Sequence, residues 1–193
     1  MDEKSCCHES PKKIHAVRGP KTRKLLIEQG ISCPEVYGDP ALLLPFVYNP
    51  NIRKKYKIGI VPHYVDSNSI YLEKFKNNDD ILIIDILGKD PFSFLDKLLS
   101  CEKIISSSLH GLIVSDAYKI PSLWVEFSNN VLGNGFKFYD YLESVNRPLS
   151  SPVQMNENSN LLELLKKFDE YEIKIDLNKL INSAPFSLNI DNK

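Results

Sequence analysis

The chain has 193 residues, of which 42% are hydrophobic and 25% charged, and its 24 basic and 25 acidic side chains leave a formal net charge of −1. That balance excludes the basic surplus of a general nucleic-acid binder, and the length holds one domain with a real core, or one domain and a helical tail. No window approaches the ~18 consecutive apolar residues of a membrane span, and the polar start Met1-Asp2-Glu3-Lys4-Ser5 lacks the apolar segment of a secretory signal, so the cytoplasm is the expected compartment.

Residues 1–13 are polar and read as a flexible N-terminus. Within them Cys6-Cys7-His8 lacks the two-to-four-residue spacer of a zinc knuckle, and no second paired set follows, so no metal site is expected. Cys33 and Cys101 complete the thiols, and Cys101 is placed at the end of a helix inside the core. Ile14-His15-Ala16-Val17 reads as a short strand that runs into an Arg18-Gly19 turn. A helix over residues 21–29 follows, with Pro20 in its first turn and Gly30 as its stop. Val36-Tyr37 begins another short strand, ahead of the proline-bounded segment from Asp39 to Pro45. Residues 49–55 form a basic loop.

A more regular alternation begins at residue 57. Residues 57–62 and 80–87 are continuous apolar strands, and residues 70–76 a short helix. Residues 91–101 carry Phe92, Leu95, Leu98 and Leu99 at helical spacing. A strand over 103–106, a helix over 109–118, a strand over 121–127 and an aromatic helix over 135–145 complete the run. Strands that are apolar throughout, alternating with helices, predict an α/β Rossmann-like parallel sheet with helices on both faces. Residues 14–150 are read as this domain, and residues 151–193 as a helical C-terminal tail with amphipathic helices at 160–168 and 177–181.

The chemistry-bearing residues gather at strand-to-helix turns. Ser106-Ser107-Ser108-Leu109-His110-Gly111 stands where a strand's carboxyl end feeds a helix's amino end, the place where open α/β sheets bind ligands. Free N–H groups and the positive end of the helix dipole attract anions there, and an imidazole beside an anion can move a proton near neutral pH. Ser107 and Ser108 supply hydroxyls, and Gly111 allows a ligand or a second backbone to come close. The plainer alternative is a capping serine run and a histidine that satisfies a local backbone group. His63 follows the 57–62 strand in the same way, and Arg18 follows the first one with a planar fork suited to carboxylate or phosphate. Lys137 and Asp140 are three apart on the aromatic helix, where an intrahelical ion pair competes with ligand contact. Asp39-Pro40 reads as a turn. There is no Gly-x-Ser-x-Gly elbow, no Gly-rich dinucleotide fingerprint and no Walker loop.

Val17-Arg18-Gly19-Pro20-Lys21-Thr22, Gly38-Asp39-Pro40-Ala41-Leu42-Leu43-Leu44-Pro45, Ile58-Gly59-Ile60-Val61-Pro62-His63-Tyr64, Ser106-Ser107-Ser108-Leu109-His110-Gly111-Leu112-Ile113 and Lys137-Phe138-Tyr139-Asp140-Tyr141 resemble, in order, the blocks of the polysaccharide pyruvyl transferases. The resemblance covers residues 17–145. It implies transfer of a pyruvate ketal from phosphoenolpyruvate, as donor substrate and without a further cofactor, to two hydroxyls of a sugar in a surface polysaccharide or its precursor. It also implies one half of a two-domain glycosyltransferase-B-type fold, because members of the family are longer. This chain then corresponds to the carboxyl-terminal, donor-side half, and a partner chain or a second copy is expected to cover the missing amino-terminal half. No nucleic acid and no membrane span enter this reading, although peripheral association with a polysaccharide assembly is compatible with it. On this resemblance His110 is the general acid/base, and Arg18, His63, Ser107, Ser108, Gly111 and Lys137 bind substrate. Arg18 and His110 are expected to look into one pocket at a shared rim of the sheet. Where many members carry an arginine before Leu-His-Gly, this chain has Ser108, one cation fewer. Two other readings remain: a glycosyltransferase using a nucleotide-sugar, and a non-catalytic domain that binds a partner in polysaccharide biosynthesis.

Overall fold

The computed structural model describes residues 11–186. In chain order the helices are α1 (Pro20–Glu28), α2 (Leu44–Val47), α3 (Ile70–Glu73), α4 (Pro91–Leu99), α5 (Leu109–Ala117), α6 (Phe136–Ser144), α7 (Leu161–Leu165) and α8 (Leu177–Ser183). The strands are β1 (Tyr56–Val61), β2 (Ile81–Ile83), β3 (Cys101–Ser106), β4 (Ser122–Glu126) and β5 (Val153–Gln154). Two compact units are interleaved along the chain. One consists of residues 49–132 and 150–170, and the other of the segments before, between and after these.

The first unit is the α/β one. Its five strands lie in the order β2-β1-β3-β4-β5, and every neighbouring pair is parallel. Ile58, Ile60, Val61, Ile104 and Ile105 are all fully buried. Successive strand residues point to opposite faces, so buried neighbours in sequence require cover on both faces. Ile58, Ile60, Ile105 and Val125 pack with Leu72 of α3, Met155 and Leu164 of α7. α4 and α5 pack against β3, and α5 also against β4. The order reverses between β1 and β3, which opens a crevice at their carboxyl ends. The register sets those ends level, with Val61 opposite Ser106 and Ser106 opposite Trp124.

Three expectations change in this unit. β2 covers only Ile81–Ile83, because after Ile84 the Asp85 carboxylate accepts from the Leu87 N–H and turns the chain out of the ladder. Cys101 starts β3 rather than ending a helix: Ser100 caps α4, its hydroxyl donating to the Lys97 carbonyl, and Cys101 pairs with Tyr56. Burial pushes the Cys101 thiol up to about 11, which fits an inert structural thiol. The segment after Leu149 supplies the edge strand β5 as well as helices. Two residues are too few for periodicity to reveal, and β5 is fixed by pairing with β4 and by the Met155 N–H donating to the Glu126 carbonyl.

The second unit contains α1, α2, α6 and α8. The strand expected over residues 14–17 is reduced to one parallel bridge between Val17 and Tyr37, and so is the one begun at Val36. Among the described residues these segments bridge to no third strand, so no ladder propagates. α1 begins as expected, with Pro20 in its first turn and Gly19 as its extended N-cap, and Gly30 follows it in the left-handed region at φ +76°. Gly38, at φ +126°, sits where any Cβ would press on Ile175 and Leu180, which lets α8 close over the turn.

Candidate functional site

The carboxyl edge of the sheet is built from three loops that follow β1, β3 and β4. Ser106, the last residue of β3, is fully buried, and its hydroxyl lies 2.9 Å from the Val61 carbonyl and 2.8 Å from that of Ser108. It accepts from the Ser108 N–H at 3.0 Å and so shapes the turn into α5. Ser107, 1% exposed, accepts from the His63 N–H at 2.8 Å and donates its proton to Asp66 Oδ2 at 3.1 Å. The second Asp66 oxygen accepts from the Ser128 hydroxyl at 2.5 Å. Asp66 itself is 2% exposed and ends the single 3₁₀ turn that follows His63.

His110 stands in the first turn of α5 and is exposed, while Leu109 before it and Gly111 after it are buried. Ser108 is the N-cap residue, with extended backbone angles and no side-chain bond back to the helix. The first-turn N–H groups of Leu109, His110 and Gly111 have no intrahelical acceptor by the geometry of a helix. No acidic side chain among the described residues accepts from them. Gly111 serves packing: a Cβ there would collide with the Ser106 hydroxyl and crowd Val61, so the bare glycine brings α5 down onto β1 and β3. Of the two close approaches the sequence offered for Gly111, the structure shows that to a second part of the chain. His63 is half-buried, its Nδ1 accepts from the Val65 N–H at 3.5 Å, and its ring rests against Tyr64 with centroids 4.5 Å apart. The α/β unit thus brings His63, Ser107, Ser108, His110 and Gly111 to one edge, at the β1/β3 reversal. It does so with Ser107 engaged on both sides, by an amide and by a carboxylate.

Arg18 and Lys137 belong to the other unit. The turn that carries Arg18 follows the isolated bridge at Val17 and is attached to no strand of the sheet. The Arg18 Nε faces Asp39 Oδ2 at 3.5 Å. The other Asp39 oxygen accepts from the Ala41 N–H, making Asp39 the cap of the 3₁₀ turn Pro40–Leu43, as its sequence suggests. Burial lowers the Lys137 pKa, and the nearby Arg18 charge lowers it further. Two neighbouring cations, with the Asp39 carboxylate 3.5 Å from one of them, make an electropositive spot suited to an anion. Lys137 also lies 5.6 Å from the centre of the Phe138 ring.

Of the two alternatives for Lys137 and Asp140, the intrahelical ion pair is not formed. Asp140 is fully buried and accepts from the Thr22 N–H at 3.0 Å and the Thr22 hydroxyl at 2.6 Å. It caps the amino end of α1 from α6. Gly19 is required here, because a Cβ would collide with the Asp140 carbonyl and carboxylate. Asp66 and Ser128 are polar groups that the sequence does not single out, and Asp140 is one whose partner it does not reveal. For Asp66 there was one signal, an acid three residues after the histidine that leaves β1. For the others the partners are far apart in sequence, and no spacing announces them.

Among the described residues no group of three or more His, Cys, Asp or Glu is placed to hold a metal ion, and no helix is long and apolar enough to cross a membrane. Cys6, Cys7 and His8 lie outside the described residues.

The sequence profile of the polysaccharide pyruvyl transferase family matches residues 8–129. The chain is 38% identical over 137 residues to uncharacterized protein L143 of Acanthamoeba polyphaga mimivirus, an overlap that covers 68% of this chain and 47% of that protein. It is 28% identical over 144 residues to succinoglycan biosynthesis protein ExoV of Rhizobium meliloti (strain 1021), covering 72% of this chain and 44% of that protein. The chain thus spans less than half the length of either relative. No solved structure matches it. With the ordered sequence blocks, the parallel sheet and a profile match over more than half its residues, the chain belongs to the polysaccharide pyruvyl transferase family.

Proposed function

We propose that this chain is the donor-side part of a pyruvyl transferase, which takes phosphoenolpyruvate and forms a pyruvate ketal on a sugar of a surface polysaccharide or its precursor. The observation that carries the reading is the exposed His110 in the first turn of α5, at the β1/β3 reversal of a parallel sheet. A proton-moving group stands there beside backbone donors that no carboxylate among the described residues occupies. Phosphoenolpyruvate carries a phosphate and a carboxylate, so N–H donors and cations suit it. His63, Ser108 and the α5 amides are assigned to an anionic group of the substrate. Arg18 and Lys137 are assigned to substrate binding on the family resemblance. Ser107 and Gly111 act by shaping the turn.

The balance of the reaction fixes what the acid/base group must do. A proton goes to the donor's methylene carbon, which becomes the methyl group. One sugar hydroxyl adds at the adjacent carbon, and a second displaces phosphate and closes the ketal. The two hydroxyl protons end on that methyl group and on the departing phosphate. His110, by giving and then regaining one proton, is sufficient for the first step and the first attack.

The test is a thermal-shift titration of the full chain with phosphoenolpyruvate, UDP-sugars and GDP-sugars. Stabilisation by millimolar phosphoenolpyruvate, lost in His110→Ala and Arg18→Ala, is the expected result. Stabilisation by a nucleotide-sugar alone overturns it in favour of glycosyl transfer. No stabilisation by any of them leaves the chain as a partner-binding domain.

A further inference from the structure

We infer that Asp66 is a positioning residue for this site. Through Ser107 and Ser128 it fixes the three loops that follow β1, β3 and β4, and with them the placement of His63 and His110. The inference rests on the reading that the carboxyl edge of the sheet is where the substrate binds.

A carboxylate that is 2% exposed is costly to bury and persists only where its oxygens are well satisfied. Among the described residues no cation pairs with Asp66. Its partners are two hydroxyls, one on each oxygen: Ser107 at 3.1 Å and Ser128 at 2.5 Å. Each hydroxyl also accepts a backbone N–H, Ser107 from His63 at 2.8 Å and Ser128 from Asn130 at 3.1 Å. Accepting the amide leaves each hydroxyl proton to the carboxylate. Two relays of the same form, amide to hydroxyl to carboxylate, therefore converge on one side chain. One begins at the histidine that leaves β1, the other at the loop that leaves β4, and Ser107 lies three residues before His110. The Asp66 N–H closes the ring by donating to the His63 carbonyl at 2.7 Å. Simple core packing would be served as well by an apolar residue. A carboxylate at this place is suited to holding polar loops in one arrangement. An asparagine offers an NH₂ group where the geometry requires a second acceptor, so Asp66→Asn breaks one relay while keeping the shape.

The experiment compares wild type, Asp66→Asn, Ser128→Ala and Ser128→Thr by NMR of the histidine rings, with hydrogen exchange at the His63 amide. His15, whose Nδ1 lies 2.9 Å from the Ser183 carbonyl in the other unit, is the internal control. The expected result is movement of the His63 and His110 signals in Asp66→Asn and Ser128→Ala, with His15 unmoved and Ser128→Thr restoring the wild-type spectrum. Exchange at the His63 amide is expected to rise at least about tenfold. The phosphoenolpyruvate concentration giving half the thermal shift is expected to rise on the order of tenfold to a hundredfold. A residue with a purely structural role would lower the melting temperature without moving the two ring signals. Unchanged ring signals and unchanged His63 exchange, in whichever of the two variants folds, overturn the inference. If wild type shows no response to phosphoenolpyruvate, the proposed function falls, and the ring signals and amide exchange still decide the role of Asp66.

Discussion

Two helix N-termini in this protein follow turns that carry chemistry-bearing residues, and they have opposite fates. At α1 the first turn is closed from within: the Asp140 carboxylate of α6 takes the Thr22 N–H and hydroxyl, and Gly19 makes room for it. At α5 the Ser108 N–H is taken by the Ser106 hydroxyl, no carboxylate among the described residues enters, and the next residue but one is an exposed histidine. Sequence alone makes the two turns look alike, because each is a polar turn that leads into a helix. The difference is what the fold sends to meet them. A helix dipole already neutralised by a buried aspartate is structural. One left open beside a proton-moving side chain is available to a substrate.

The comparison breaks most sharply at His110. Its ring is exposed, so His110→Ala is expected to leave the melting temperature of the free protein within about 1 °C, because exposed substitutions cost little. The same change is expected to lower the rate of ketal formation on the order of 10²–10⁴-fold, the usual range for a general acid/base. The measurement is turnover with phosphoenolpyruvate and the acceptor. A variant with wild-type turnover would show that the open helix end is not where the chemistry occurs. Next in size is Arg18→Ala, which removes a planar cationic fork suited to carboxylate or phosphate. Its affinity for phosphoenolpyruvate is expected to fall on the order of tenfold to a hundredfold, as for a charge-assisted bond. Isothermal titration reads this directly, and Arg18→Lys is expected to recover only part of it.

The same contrast explains what the sequence could and could not disclose. The strands β1 and β3 are legible because neighbouring apolar residues, Ile60 and Val61 in one and Ile104 and Ile105 in the other, are buried on both faces. α5 and α6 were legible from their boundaries. The placement of His63 and His110 at strand ends followed from those elements, since a turn after a parallel strand has only one edge to occupy. What stayed hidden depends on contacts between residues far apart in the chain. Asp140 was read with Lys137, its helix neighbour, yet it bonds Thr22, 118 positions away. Ser107 was read as a hydroxyl for the substrate, yet its proton goes to Asp66, 41 positions away. The short strand at Val17 looked like the start of the sheet and forms only a bridge to Tyr37, because strand pairing is decided by neighbours that propensity does not specify.

A smaller effect tests the closed helix end. Thr22→Ala removes the hydroxyl partner of Asp140 and leaves one buried carboxylate oxygen without its 2.6 Å bond. A loss of about 1–2 kcal/mol in denaturant unfolding is expected, in the range for a lost cap. Affinity for phosphoenolpyruvate, measured at a temperature where the variant is folded, is expected to stay within about twofold of wild type, the spread typical of a substitution away from the ligand. A large loss of affinity without loss of stability would mean that α1, too, presents its amino end to the substrate.

The smallest effect, and the one that separates charge from shape, is the pH dependence set by Lys137. Its folded pKa is lowered, first by burial and then by the Arg18 charge, whereas the unfolded chain keeps the ordinary value of 10.5. Between the lowered folded value and 10.5 the unfolded state binds more protons than the folded one, so the free protein gains stability as pH rises through that window. An anion reverses the sign for the bound form. It is held by the ammonium, so its affinity falls over the lower part of the same window, as the folded amine loses its proton. The donor's own charge does not confuse the reading, because a phosphate monoester has its second pKa at about 6 and is fully ionised above neutrality. The expected record is a phosphoenolpyruvate-induced thermal shift that declines a few-fold as pH rises from neutrality towards the ordinary lysine value of 10.5. In Lys137→Arg the shift is expected to hold level across that range, because guanidinium keeps its proton. A wild-type shift that also holds level would remove Lys137 from the substrate and leave Arg18 as the cation that carries the anionic group.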